Sequence, residues 1–315
     1  MTGVQTCALP ISHLSEYYDA FTTTHGVPFP IPPIRTEHAT LGDTADQWQP
    51  IQFRAEAVST VGSTIVGGTC FYALNGGAYT ALAMSSFGAE WTASWPRPPS
   101  PAIVSYYFRF VDALGNAVHL PDAAPDGAFV FRTYRPVVVF HEGFEGALGN
   151  WSAAAASGTN DWQFGAPGAP AFAFDPPAAF SGGFVAGTDL APGATFDGIY
   201  APNVVEHLTS PAVDCTGRSF VALDYRRWLS VEDGAYDQAR ILLSVNNGPF
   251  QPVWSNVASL AGDDHHLDFA WARHVVRLTA ADGQPSVRVR FELATDAGIN
   301  FGGWNVDDFR LDASP

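Results

Sequence analysis

The chain has 315 residues, 47% of them hydrophobic, with 30 Gly, 24 Pro, 13% aromatic residues and a formal net charge of −16. That content is ample for packed cores and excludes a disordered chain, while so acidic a surface repels nucleic acid and anionic lipid and attracts divalent cations. No run of about 20 apolar residues occurs, so no membrane-spanning helix is expected.

In chain order, residues 1–12 read like a translated sequencing adapter and are set aside from fold reasoning, which implies a natural start further upstream. Leu14, Tyr17, Tyr18 and Phe21 fall at i, i+3, i+4 and i+7, predicting a short helix over 13–25. Pro28, Pro30, Pro32 and Pro33 then make an extended linker, so residues 1–34 form no domain of their own.

From 35 to 135 the chain alternates with a period of two. Phe53, Ala55 and Ala57 interleave with Arg54 and Glu56, and Tyr106, Phe108 and Phe110 with Tyr107 and Arg109. Asn75-Gly76-Gly77 and Leu114-Gly115-Asn116 supply hairpin turns. The segment predicts a small sandwich that resembles the immunoglobulin-like or fibronectin-like spacers of secreted bacterial hydrolases. His38 and His119 are isolated and are expected in turn or surface roles.

A second domain is expected over 137–315, beginning with a strand at Val137–Phe140. Ile241–Val245 followed by Asn246-Asn247-Gly248 predicts a strand and hairpin turn, and Val287, Val289, Phe291 and Leu293 face away from Arg288, Arg290 and Glu292. The charge concentrates here: residues 136–315 hold 21 Asp and Glu against 9 Arg, residues 36–135 hold 8 against 5. All 15 basic residues are arginine, which we attribute to GC-rich coding. Cys70 and Cys215 lie in different predicted domains and are not expected to pair.

In the last strand Trp304 and Val306 share one buried face, and Phe309 and Leu311 resume it out of phase, with Asp307 and Asp308 at the break. Beside Glu145 these acids would place three carboxylates in one small volume, an arrangement that calcium would relieve. Capping of turns and pairing with arginines such as Arg310 is the alternative role for them. Glu232 and Asp237, with Asp296 before the glycine-rich loop, form a second acidic candidate for an ion or a ligand hydroxyl, against a plain turn. Asp263-Asp264-His265-His266-Leu267-Asp268 offers zinc-type ligands, but no helical His-x-x-x-His pair accompanies it and it reads as a polar surface loop. Trp151, Trp162, Trp228, Trp254, Trp271 and Trp304 are expected mainly in the core. Trp254 and Trp271, flanking the polar loop, are the candidates for a sugar platform. No Gly-x-Ser-x-Gly, phosphate loop or Cys-x-x-Cys motif is present.

The order Phe144-Glu145, Asp161-Trp162, Leu208-Thr209-Ser210-Pro211, Trp228, Glu232, Asp237 and Trp304 to Leu311 resembles the jelly-roll modules of secreted bacterial metallopeptidases of the immune inhibitor A type, and also animal MAM domains. Animal MAM domains carry disulfide pairs, whereas this segment has only Cys215, so the bacterial modules are the nearer pattern. The resemblance implies an all-β chain, an immunoglobulin-like sandwich followed by a larger jelly roll. It adds Asp161 to Glu145, Asp307 and Asp308 as a calcium ligand. It further implies a non-catalytic, calcium-stabilised C-terminal region of a bacterial hydrolase, secreted or on the cell surface, whose partner is an upstream catalytic domain. The alternative is an adhesive or carbohydrate-binding module that holds a glycan or a cell-surface protein.

Overall fold

The computed structural model describes residues 32–45, 49–96, 98–146, 149–168, 175–190, 198–262 and 264–315. The adapter-like stretch and the helix expected over 13–25 lie outside them. The chain divides into two compact units, Met1–Tyr134 and Arg135–Pro315. The fold is all-β, and among the described residues the one helical element is a 3-10 turn at Thr279–Ala281.

The first unit contains β1 (Ile34–Glu37), β2 (Ile51–Ser59), β3 (Ile65–Leu74), β4 (Thr80–Ala83) and β5 (Ser85–Phe87). It continues with β6 (Glu90–Trp95), β7 (Ile103–Asp112), β8 (Ala117–Leu120) and β9 (Phe129–Arg132). One sheet runs β1-β2-β6-β5 and the other β4-β3-β7-β8, with β9 also on β7. The period-two pattern explains the layering: Phe53, Ala55 and Ala57 point inward at 0–4% exposure and meet Tyr106, Phe108 and Phe110 from the facing sheet. Asn75 and Gly76 take the positive φ expected of their turn.

His38 departs from its expected surface role. It is buried, its Nδ1 donating to the Arg54 carbonyl at 2.5 Å and its Nε2 accepting from the Tyr106 hydroxyl at 2.8 Å. Burial pushes its pKa down to about 4, so the ring is neutral and joins the aromatic core beside Phe108 and Phe129. His119 is half-buried on β8 with its ring 5.5 Å from Tyr107.

The second unit contains β10 (Val137–Glu142), β11 (Ser152–Ser157), β12 (Trp162–Gly165), β13 (Val185–Thr188), β14 (Val205–Thr209) and β15 (Ser219–Val231). Then follow β16 (Gln238–Val245), β17 (Gln251–Ser255), β18 (His266–Leu267), β19 (Ala272–Arg277), β20 (Val287–Ala294) and β21 (Gly303–Ser314). A seven-stranded sheet is ordered β12-β13-β21-β15-β18, with β10 on β21 and β19 on β15. A five-stranded sheet is ordered β11-β14-β20-β16-β17. Between them pack Val287, Val289, Phe291 and Leu293 of β20 and Trp304, Val306, Phe309 and Leu311 of β21, all at 0% exposure. Val137 pairs with Ala313, so the first and last strands of this unit lie side by side.

The phase break in β21 is a bulge. Arg226 pairs with Asp307 and Asp224 with Arg310, so two residues of β21 oppose the single Tyr225, and Asp308 takes φ +47°. The extra residue returns Phe309 to the core. Asn246 and Asn247, both at positive φ, close the β16–β17 hairpin as the sequence suggests. Cys70 and Cys215 are both free and buried, one in each unit.

Candidate cation sites at the loop ends

The loop 232–237 carries the chain from β15 in one sheet to β16 in the other, and residues 295–302 carry it back from β20 to β21. Because Gln238 pairs with Ala294, the two crossings leave the sandwich at the same end. Glu232, Asp237 and Asp296 therefore meet there, each offering a carboxylate oxygen within 4.8 Å of the other two.

Their environments differ. Asp237 accepts from the Tyr200 hydroxyl at 2.6 Å and from the Asp296 amide at 2.8 Å. Tyr200 in turn accepts from the Glu232 amide at 3.3 Å, and Asn256 donates to the carbonyls of both Glu232 and Asp237. Glu232 is 5% exposed, and its buried Oε2 has no hydrogen-bond partner. A Cβ placed on Gly298 would lie 3.3 Å from that oxygen and 2.7 Å from Asp296 Oδ1, which accepts the Gly298 amide at 2.5 Å, so only a glycine lets the backbone approach both acids here. Burial, then repulsion from Asp237 and Asp296, raises the pKa of Glu232; burial likewise raises Asp237. Asp233 behaves differently although it sits between them. Its carboxylate accepts from the amides of Ala235, Ser259 and Asp264, which outweigh burial and hold its pKa near about 2. It staples the loop, and the donors on it leave no room for a ligand role.

The first acidic candidate splits. Glu145, Asp307 and Asp308 do surround one turn: Glu145 Oε1 accepts from the amides of Gly183 and Phe184 at 2.9 and 2.8 Å. Asp307 accepts from the Ser181 amide and Asp308 from the Ser181 hydroxyl, both at 3.0 Å. Each of the three carboxylates thus accepts a hydrogen bond from residues 181–184, and His141 Nε2 lies 3.6 Å from Asp308. Burial pushes Asp307 up to about 6. Asp161 bonds elsewhere. Its carboxylate accepts from Ala201 at 3.1 Å, and its amide donates to buried Glu206, which burial pushes up to about 7. The expectation that Asp161 approaches the same ion finds no shared contact.

The polar loop needs a correction. Asp263 lies outside the described residues, but His266 and Asp268 are buried, not on the surface. Asp268 accepts from Arg227 Nε at 2.9 Å, His266 Nε2 at 3.0 Å and the Leu229 amide at 3.0 Å. The loop folds inward because Arg227 is carried into the sandwich by β15 and requires a counter-charge. The two tryptophans offered as a sugar platform do not share a face. Trp254 packs against His274 and Trp304 on the core face of the seven-stranded sheet. Trp271 lies against Trp228 and Phe180 on the opposite face, its Nε1 donating to the Ala178 carbonyl.

No protein-family model matches the chain. Bacillopeptidase F of Bacillus subtilis (strain 168) is 28% identical over 182 residues, which is 57% of this chain and 11% of that protein. The chain thus spans about a tenth of the relative's length. Among solved structures, the carbohydrate-binding module TmCBM61 in complex with beta-1,4-galactotriose gives a TM-score of 0.33 at 14% identity, covering 55% of this chain and 94% of that one. A carbohydrate-binding module from the β-sandwich superfamily gives 0.31 at 11% identity, covering 88% and 97%.

Proposed function

We propose that this chain is a non-catalytic accessory region of a larger extracellular protein, working beside a peptidase-type catalytic domain and stabilised by calcium held between Glu232, Asp237 and Asp296. The observation that carries the cation is the buried Glu232 Oε2, which has no hydrogen-bond partner and lies beside two further carboxylates. A buried carboxylate oxygen without a partner is costly, and a hard divalent ion that accepts six to eight oxygen ligands relieves it. The loops that would hold the ion are the crossings that tie the two sheets together. The ion's work is therefore structural: it clamps one end of the sandwich. The placement beside a peptidase rests on the partial match to Bacillopeptidase F.

Calorimetry of the full chain in calcium and in chelator, with a casein-hydrolysis assay on the same sample, tests this reading. Calcium that binds only the folded state stabilises it by RT ln(1 + [L]/Kd), about 2.7 kcal/mol at about a hundredfold excess. For a unit of this size that moves the melting temperature by about 5–11 °C. Glu232→Gln and Asp296→Asn should each remove most of the response and Glu145→Gln should keep it, with no hydrolysis of casein. An unchanged melt refutes the cation, and peptide-bond cleavage by this chain refutes the accessory role.

A further inference from the structure

The outward face of the five-stranded sheet carries a cross-strand row of Ser152, Thr209, Arg290 and Leu242, set by the pairings Ser152↔Thr209, Thr209↔Arg290 and Arg290↔Leu242. Arg288 lies two residues along β20 on the same face. Beside this row, the segment Thr209–Ala212, Phe250 and Asn150 wall a cleft of about 520 Å³. Small-ligand sites usually occupy about 300–1,000 Å³.

The arginines are held in place without a direct ion pair. Arg290 Nε donates to Thr209 Oγ1 at 3.0 Å, and its guanidinium carbon sits 3.8 Å from the centre of the Phe250 ring. Arg288 Nη1 donates to Asn247 Oδ1 at 3.0 Å. Among the described residues neither has a carboxylate within ion-pair distance; Glu292, two residues along β20, ion-pairs with Arg240 at 2.6 Å and reaches Arg290 only as a nearby charge. In a chain of net charge −16, two arginines lining one cleft without an acid between them mark a place built for an anion.

Stacking on Phe250 fixes the guanidinium plane of Arg290, and a fixed planar fork matches a carboxylate better than a single atomic ion. The rest of the lining is mostly polar, with Asn150 and Ser152 able to bond hydroxyls and only Pro211, Ala212 and Phe250 apolar. That lining suits a sugar ring better than the side chains of a peptide. We propose that this cleft binds the carboxylate of an acidic sugar, a uronate unit of a polysaccharide, with Arg290 and Arg288 as the anion clamp. The site is separate from the carboxylate cluster and does not depend on it.

Isothermal titration of the full chain with digalacturonate, run in chelator so that no calcium bridges the ligand, tests the assignment. Neutral galactobiose and a short peptide with a free C-terminal carboxylate serve as comparisons. Saturable digalacturonate binding, weakened about tenfold or more in Arg290→Gln and in Arg288→Gln and at least as much for galactobiose, supports it. The part-exposed Arg288 provides a variant that folds even if loss of the Phe250 stack unsettles Arg290→Gln. Equal affinity for the neutral sugar, binding indifferent to both substitutions, binding of the peptide alone, or no digalacturonate binding would each overturn it.

Discussion

Replacing Asp268 with Asn should destabilise the second unit by about 3–5 kcal/mol, the cost of breaking a buried ion pair from one side. Arg227 and Asp268 have side-chain exposures of 1% and 3%, so water offers neither charge much relief. Asp268 also accepts from Arg227 Nη2 at 3.2 Å, from His266 and from the Leu229 amide. An asparagine keeps the shape but loses the charge, and turns an NH2 group toward one of these donors. At about 2–4 °C per kcal/mol for a unit of this size, the melting temperature should fall by about 6–20 °C. Burial works against the Asp268 charge, yet Arg227 and His266 hold its pKa well below the usual carboxylate range. Its contribution is therefore complete above the unfolded pKa of about 3.9 and is lost only as pH falls below that, toward its folded value. Urea denaturation of the full chain at neutral pH measures the loss, and the double variant Asp268→Asn/Arg227→Met should recover part of it. A loss below about 1 kcal/mol, the value of an exposed pair, would refute the burial argument.

Gly303 takes φ +80°, and a Cβ there would meet Thr188 Oγ1 at 2.1 Å, so Gly303→Ala should cost at least about 2 kcal/mol in chemical denaturation. His38 has a folded pKa near about 4, so the stability of the first unit is full above the unfolded value of about 6.5 and declines as pH falls toward 4, by at most about 3 kcal/mol. Comparing urea midpoints of wild type and His38→Gln across that window isolates the histidine, and parallel pH profiles would contradict its burial as a neutral ring.

What could be read in advance was what repeats locally. The alternation of Phe53, Ala55 and Ala57 and of Val287 to Leu293 predicts the buried faces, since the side-chain period of a strand is a property of a few adjacent residues. The slip between Val306 and Phe309 likewise announced the bulge at Asp308. Partnerships between distant residues were not legible. Asp296 joins Asp237 only through the β16–β20 register, 59 residues apart, and His38 owes its burial to a tyrosine 68 residues away. Arg288 and Arg290 could be placed on the outward face of their strand, but the cleft needs Phe250 and Thr209 to Ala212 from other elements. Likewise, the charge pattern at Glu145, Asp307 and Asp308 gave no hint that residues 181–184 would donate hydrogen bonds to all three.

The pairing of Val137 with Ala313 has a mechanical consequence. A load applied to the second unit through these two positions enters and leaves at adjacent points of one antiparallel ladder. It pulls across β10 and β21, not along them, so the hydrogen bonds between the strands bear it one at a time instead of sharing it. Under tension the unit would open like a zipper from that edge, with β10 peeling away first. The same adjacency makes it a cassette: spliced into a surface loop of another protein at these ends, it would barely alter the spacing of the loop's own anchor points.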